Sequence, residues 1–265
     1  MTQEITNPSD IDFNQLTFSD KNTAPTGASF VNVSYKGGRL YLQVPKLKIF
    51  GLNKQFDDSD QKKWESTLQW NQEDIDNDDK IKKAYEGLRD FEKHVKKWAK
   101  ENSQDLFKKK KMSDEVIDTI FNDYFKPSKN KETQEEDGRA FYQRYKYTIK
   151  KDDTVFEVGV FDKNKKEVVL TLDNISDVIR MYSSVKCIIT PNIYISSGKF
   201  GVTWKVWQMK IWEPEGVNVQ LNRRSYAMVD SSSEDEDDKN EDENDKNEND
   251  ENDKNEEDEE DDDSD

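Results

Sequence analysis

Apolar positions in the first part of the chain alternate with polar ones, a period of two that predicts strands. Phe30–Tyr35 and Leu40–Val44 read as short strands around Lys36-Gly37-Gly38-Arg39, where adjacent glycines signal a hairpin turn. In the second, Leu40, Leu42 and Val44 share one face and Tyr41 and Gln43 the other. Pro45 ends or edges that strand because it cannot donate to a ladder. Trp64, Leu68 and Trp70 share the parity of a third strand. The period then changes. Ile81, Ala84, Tyr85, Leu88, Phe91, Val95 and Trp98 recur at helical spacing, with Asn77 or Asp78 as cap and lysines in the last turn. A second helix, capped by Ser113, carries Val116, Ile117, Ile120, Phe121 and Tyr124 and stops at Pro127.

Strand patterns return at Phe141–Ile149, then at Val155–Phe161 and Val168–Leu172, expected as a hairpin, after a polar loop over 128–139. A helical turn near Ser176–Met181 leads to Val185–Ile195 and a final strand from Val202. That last stretch, SSGKFGVTWKVWQMKIW (196–212), begins with Gly198 and Gly201, which permit a tight turn with positive φ. Val202, Trp204 and Val206 share one face, then Trp207, Met209 and Ile211 are the apolar set. A phase switch inside a strand predicts a bulge. Its tryptophans and lysines fit either a surface on which bases stack while lysines track phosphates, or a core strand whose lysines reach to water.

Three strands, a helical insertion over about 77–126 and five more strands predict a mainly β fold with a helical insertion. The order suits an OB-fold-like antiparallel barrel, with the helix between its third and fourth strands. A β-sandwich gives similar strand spacing but does not need helices at that position. Residues 1–28 are expected as a loose lead-in, with Phe13, Leu16 and Phe18 available to pack. Residues 29–229 form the domain, and 230–265 a disordered acidic tail without apolar residues.

Charge sharpens that division. The tail holds 23 of the 58 acidic and 3 of the 41 basic residues, a net of −20. The remaining 35 acidic and 38 basic residues leave a body of +3. A polyanion tethered to a basic body competes with any other polyanion for it. One cysteine, Cys187, and no signal-peptide or membrane-span pattern predict a soluble intracellular protein without membrane association or disulfides.

Catalytic patterns are missing. One histidine and one cysteine provide no metal pair, and SSGKFG lacks the phosphate-loop ending. The repeated ENDKN of the tail fails the calcium-loop pattern. His94 falls on the polar side of its helix. No enzyme, metal or cofactor is expected.

The blocks GGRLYLQVPKLKIFGLN (37–53), KKKKMSDEVI (108–117) and SSGKFGVTWKVWQMK (196–210), followed by SYAMVD before an acidic tail, closely resemble the single-stranded DNA-binding proteins of nucleo-cytoplasmic large DNA viruses. The match is to the phycodnavirus and mimivirus type, related to the OB-fold proteins of short-tailed phages. The resemblance implies a non-enzymatic coat for single-stranded DNA in viral replication, recombination and repair, in the host nucleus or a cytoplasmic replication factory. It further implies that the tail shields the DNA groove and contacts viral DNA polymerase and helicase–primase. A homodimer is also among the expected partners. The chain departs from the phage relatives in having no aromatic residue after Tyr226.

On that resemblance, Lys46, Lys48, Arg144, Lys146, Lys199, Lys205 and Lys210 are the backbone-tracking candidates, and Tyr41, Tyr142, Phe200 and Trp207 the stacking candidates. Trp204 belongs to the core, because it shares a face with Val202 and Val206. An acidic-tailed, β-rich histone-type chaperone that binds basic proteins is the alternative.

Overall fold

The strands expected from the alternating patterns close into a ring. In the computed structural model, which describes residues 4–25, 27–56, 62–149 and 154–214, the main elements are β1 (Ser29–Tyr35), β2 (Tyr41–Phe56), β3 (Lys62–Asn71), α1 (Asp79–Glu101), α2 (Asp114–Ile120), β4 (Glu136–Tyr147), β5 (Ser184–Ser196) and β6 (Lys199–Trp212). All lie in one compact unit, Met1–Val217. The predicted tail over 230–265 lies outside the described residues. Strand β2 pairs with β3, β3 with β4, β4 in parallel with β6, β6 with β5, and β5 with β2 again. This is the closed five-stranded, OB-like barrel, with β1 added beside β5. The helices fall between β3 and β4, the second and third strands of this ring in chain order, and the third and fourth only when β1 is counted.

Closure depends on β2 being long enough to serve two neighbours. Its residues 42–48 pair with β5 and residues 48–56 with β3. Pro45 does not end this strand. It sits where the register with β5 slips between Lys186 and Ile188, a bulge that needs no donor there. The slip also moves the buried set from Leu42 and Val44 to Leu47 and Ile49. The bulge predicted in β6 is present: Val206 faces Ile189 and Gln208 faces Ile188, leaving Trp207 as the extra residue. Buried positions change phase there from Val202, Trp204 and Val206 to Met209 and Ile211. Trp204 is in the core, as expected.

Helix α1 starts where Asp78 Oδ1 accepts from the Lys80 and Ile81 amides. Its buried face packs on the barrel through Phe91 against Trp204 (5.3 Å between ring centroids) and Tyr85 against Trp70 (6.0 Å).

Some local expectations change. The lead-in is not loose over its described residues. Ile5–Thr6 pairs in parallel with Tyr41–Leu42, Leu16–Phe18 pairs with β1, and Ile11 and Leu16 are buried. Its few apolar side chains suffice because Pro8 and Ser9 lie directly on α1 at Gly87. The α2 helix stops at Ile120, short of the predicted Tyr124. Phe121–Asn122 instead pairs in parallel with Phe200–Gly201, since Phe121 gains more by packing on Phe200 than by continuing a short helix. The polar loop 128–139 is mostly a hairpin in which Lys126–Lys129 pairs with the start of β4. Of the two glycines at the β5–β6 turn, Gly198 has positive φ (75°) beside Ser197 (51°), whereas Gly201 lies within β6, where a Cβ would come 2.9 Å from the Tyr194 hydroxyl.

Candidate nucleic-acid interface

Side chains of a strand point alternately to the two faces of a sheet, so the barrel core fixes what lies outside it. On β4 the buried residues Gln143, Tyr145 and Tyr147 leave Tyr142, Arg144 and Lys146 on the outer face. Register places these against Gln69, Thr67 and Glu65 of β3, and Lys146 against Lys205 of β6. On β2, Lys46, Lys48 and Phe50 are the exposed alternates, with Lys48 in register with Gln69. Phe50 falls at a second slip in β2, between Ile49 and Gly51, and remains 42% exposed. Its ring lies 4.7 Å from that of Tyr142, tilted by 45°.

This surface lines a cleft of about 650 Å³ through Phe50, Thr67, Tyr142 and Arg144, together with Asn122, Asp123, Tyr124, Lys126, Met181 and Tyr194, Lys126 lying in register beside Tyr142. The segment 121–126 of that lining is held by hydrogen bonds to α1, β4 and β5. Tyr124 donates its amide to Glu92 Oε1 (3.2 Å) and its hydroxyl to the Arg144 carbonyl (2.7 Å). Arg89 Nη1 donates to Glu92 Oε2 (2.8 Å) and Asp123 Oδ1 (2.9 Å). Asn122 Nδ2 donates to the Tyr194 hydroxyl (2.7 Å). Burial, with Asp123 adding repulsion, pushes the Glu92 carboxyl up to about 7, against the pull of Arg89.

The cleft lining carries two cations, Lys126 and Arg144, and one carboxylate, Asp123, which is paired with Arg89. Glu65 is buried beneath Arg144 (3.9 Å) and Lys146 (3.6 Å), distances too long for tight pairing. The Arg144 side chain is 64% exposed, and its guanidinium has five donors for an anion in the cleft. Beyond Lys146, the half-buried Lys205 ammonium is held below its ordinary pKa by burial first and then by Arg39 and Lys146, with Glu157 opposing. Arg39 is itself fixed, Nε donating to Thr190 Oγ1 at 3.0 Å. Charge repulsion among Arg39, Lys146 and Lys205 is relieved by any phosphate that settles there.

The predicted residues therefore divide. Lys48, Tyr142, Arg144, Lys146 and Lys205 share the outer face of β2, β3, β4 and β6. Phe200 is 0% exposed, wedged between Phe107 and Phe121 at 5.3 and 5.2 Å, so it is a core residue and offers no face to a base. Tyr41 is also buried, 4.9 Å from Trp207, and serves to prop that indole rather than to stack on a ligand. Trp207, pushed out by the β6 bulge, is 39% exposed. Lys199 is exposed at the β5–β6 turn, outside the cleft lining. Lys46 of β2 and Lys210 of β6 lie outside the cleft lining, each near the Trp212 ring.

Sequence reasoning missed Phe50, Arg39, Lys126 and Tyr124. Phe50 was visible as the third outward position after Lys46 and Lys48, had the strand been carried through Pro45. Lys126 and Tyr124 gave no such signal, because a helix was expected there. Among the described residues no cluster of three metal-ligating side chains occurs, and no helix is long and apolar enough to cross a membrane. His94 is stacked on Phe13 at 5.0 Å, and burial pushes the Cys187 thiol up to about 12.

A family model described as "Protein of unknown function (DUF2738)" matches residues 5–261, and the chain belongs to that family. No curated protein matches. Among solved structures, the chain is similar to the single-stranded DNA-binding protein from bacteriophage Enc34 in complex with ssDNA, at 13% identity and a TM-score of 0.42, covering 74% of this chain and 98% of that one. It is also similar to gp2.5, a single-stranded DNA-binding protein encoded by bacteriophage T7, at 10% identity and a TM-score of 0.42, covering 72% and 98%.

Proposed function

We propose that this member of the DUF2738 family binds single-stranded DNA without reading its sequence. The observation that carries the reading is the cleft on the outer face of β2, β3 and β4. There the Phe50–Tyr142 ring pair meets Arg144 and Lys126, with Lys146 and Lys205 beside it on the same sheet. Rings offer every base the same stacking surface, and cations follow the phosphates, so neither discriminates among sequences. The three sequence blocks that resemble the viral single-stranded DNA-binding proteins support the same reading. On that resemblance the protein coats single strands at viral replication forks, in the host nucleus or a cytoplasmic factory. Its acidic segment competes for the cleft and contacts polymerase and helicase–primase.

The test is a titration of a labelled dT oligomer by fluorescence anisotropy, with duplex DNA of equal length as competitor. About four to six neutralised phosphates give a slope of log K against log salt near −3 to −4, from ~0.7 per contact on single strands. A preference for duplex, a salt-independent affinity or the absence of saturable binding overturns the reading. The last of these is what a chaperone for basic proteins would give.

A further inference from the structure

A second row of lysines crosses the barrel outside the cleft. Lys186 of β5 is in register with Lys46 of β2 on one side and Lys210 of β6 on the other. Neighbouring strands are ~4.8 Å apart, so three ammonium-bearing positions fall within ~10 Å. Like charges directly opposite one another destabilise a sheet. Among the described residues none of the three has a carboxylate at ion-pair distance. Lys46 Nζ and Lys210 Nζ instead lie 4.9 and 5.0 Å from the centre of the Trp212 ring. A hollow of about 320 Å³ adjoins them, lined in part by Gln43, Lys165, Lys186 and Lys210. The row thus combines uncompensated positive charge, an aromatic ring and space.

We infer that this row is a second contact surface for the phosphate backbone of the same nucleic acid strand, an inference that rests on the function proposed above. Continuity with the cleft favours this ligand over an acidic polypeptide. Lys46, Lys48 and Phe50 are successive outward positions of β2, so the row and the cleft are linked along one strand. At ~3.3 Å per residue, Lys46 is ~13 Å from Phe50, with Lys48 midway. A single strand lying on Phe50 and Tyr142 passes Lys48 and reaches Lys46, Lys186 and Lys210 without leaving cationic surface. Trp212 supplies a ring between Lys46 and Lys210.

The experiment compares full-length wild type with the Lys46→Gln, Lys186→Gln, Lys210→Gln triple variant on two dT oligomers. One is about 6 nucleotides long, enough for the cleft alone, and the other about 20, within reach of both surfaces. On the long oligomer the salt slope of the variant should be shallower by about 2, from three lost contacts at ~0.7 each. On the short oligomer affinity and slope should stay unchanged. Lys186→Gln alone, which leaves the contacts of Trp212 intact, should lose about 0.7 on the long oligomer and keeps the test valid if the triple variant melts early. An unchanged slope on the long oligomer overturns the inference and leaves the proposed function standing. That is also the result if the row holds an acidic polypeptide. Equal losses on both oligomers overturn it too, since the row would then belong to the cleft. Failure of wild type to bind either oligomer overturns the proposed function and this inference together.

Discussion

Two residues decide different things about the cleft and its surroundings. Tyr142 presents a ring beside Phe50 on an exposed strand face, so Tyr142→Ala should leave the thermal midpoint nearly unchanged. It should weaken dT binding by roughly 1–3 kcal/mol, the range of one aromatic–base stack, when measured by anisotropy at fixed salt. Gly87 acts through what it lacks. A Cβ there would come 2.4 Å from the Pro8 carbonyl carbon and 2.6 Å from the Ser9 nitrogen, both backbone atoms that cannot swing away. On an exposed helix Gly→Ala stabilises by about 1 kcal/mol. Here Gly87→Ala should instead destabilise by roughly 1–3 kcal/mol or release the segment before residue 11, seen as a lower melting midpoint and faster proteolysis of the N-terminal residues. The apolar residues Phe13, Leu16 and Phe18 advertise that this segment packs. That it packs as closely as backbone on a helix glycine is a feature of two distant chain pieces, and no local pattern carries it.

At the scale of elements, the cleft depends on a wall that is not part of the barrel. The segment 121–126 is held to α1 by the Glu92 carboxylate, which accepts from Arg89 and from the Tyr124 amide. The Glu92 carboxyl is raised to about 7, so the folded state binds its proton more tightly than the unfolded chain does. Stability from this group is therefore complete in acid, below its unfolded value near 4.5, and is lost as pH rises through 7. Glu92→Gln removes the titration. Its melting midpoint relative to wild type should rise between pH 5 and pH 8, with a span on the order of 3 kcal/mol at most. A difference independent of pH would mean that Glu92 is ionised throughout. The barrel strands and α1 were legible because period and burial go together: Trp204 and the Trp207 bulge follow from parity alone. The wall was not legible, because Phe121 and Tyr124 keep helical spacing from Ile117 while their contacts, Phe200 and Glu92, are set by tertiary packing. Phe200 was misassigned for a related reason. It continues the buried parity of Val202 and Trp204, yet it sits beside a glycine and a lysine at a turn, where an exposed ring is equally consistent with the sequence.

For the whole molecule, charge is distributed so that one end of the chain carries more than the entire net negative charge. Removing residues 230–265 turns a −17 chain into a +3 body. Because that segment has no apolar residues, the melting midpoint of the truncated protein should barely move. Its dT affinity should increase, most at low salt and little near physiological ionic strength, where the Debye length shrinks to about 8 Å. Titrations of full-length and 1–229 protein at several salt concentrations measure this, and unchanged or weaker binding at low salt would confine the acidic segment to partner contacts or solubility. The seam strand β2 carries a consequence of another kind. Leu42 has to wait for Ile189, and Lys46 for Lys186, before the ring can close. During synthesis β2 and β3 therefore emerge as a sheet with open edges and stay so while the helices and β4 are added. Such edges are templates for pairing with other chains, and contacts this far apart in sequence form slowly. The molecule is thus most exposed to misassembly in the interval before β5 and β6 leave the ribosome, and a chain interrupted anywhere before Ser184 has no monomeric barrel to fall back on.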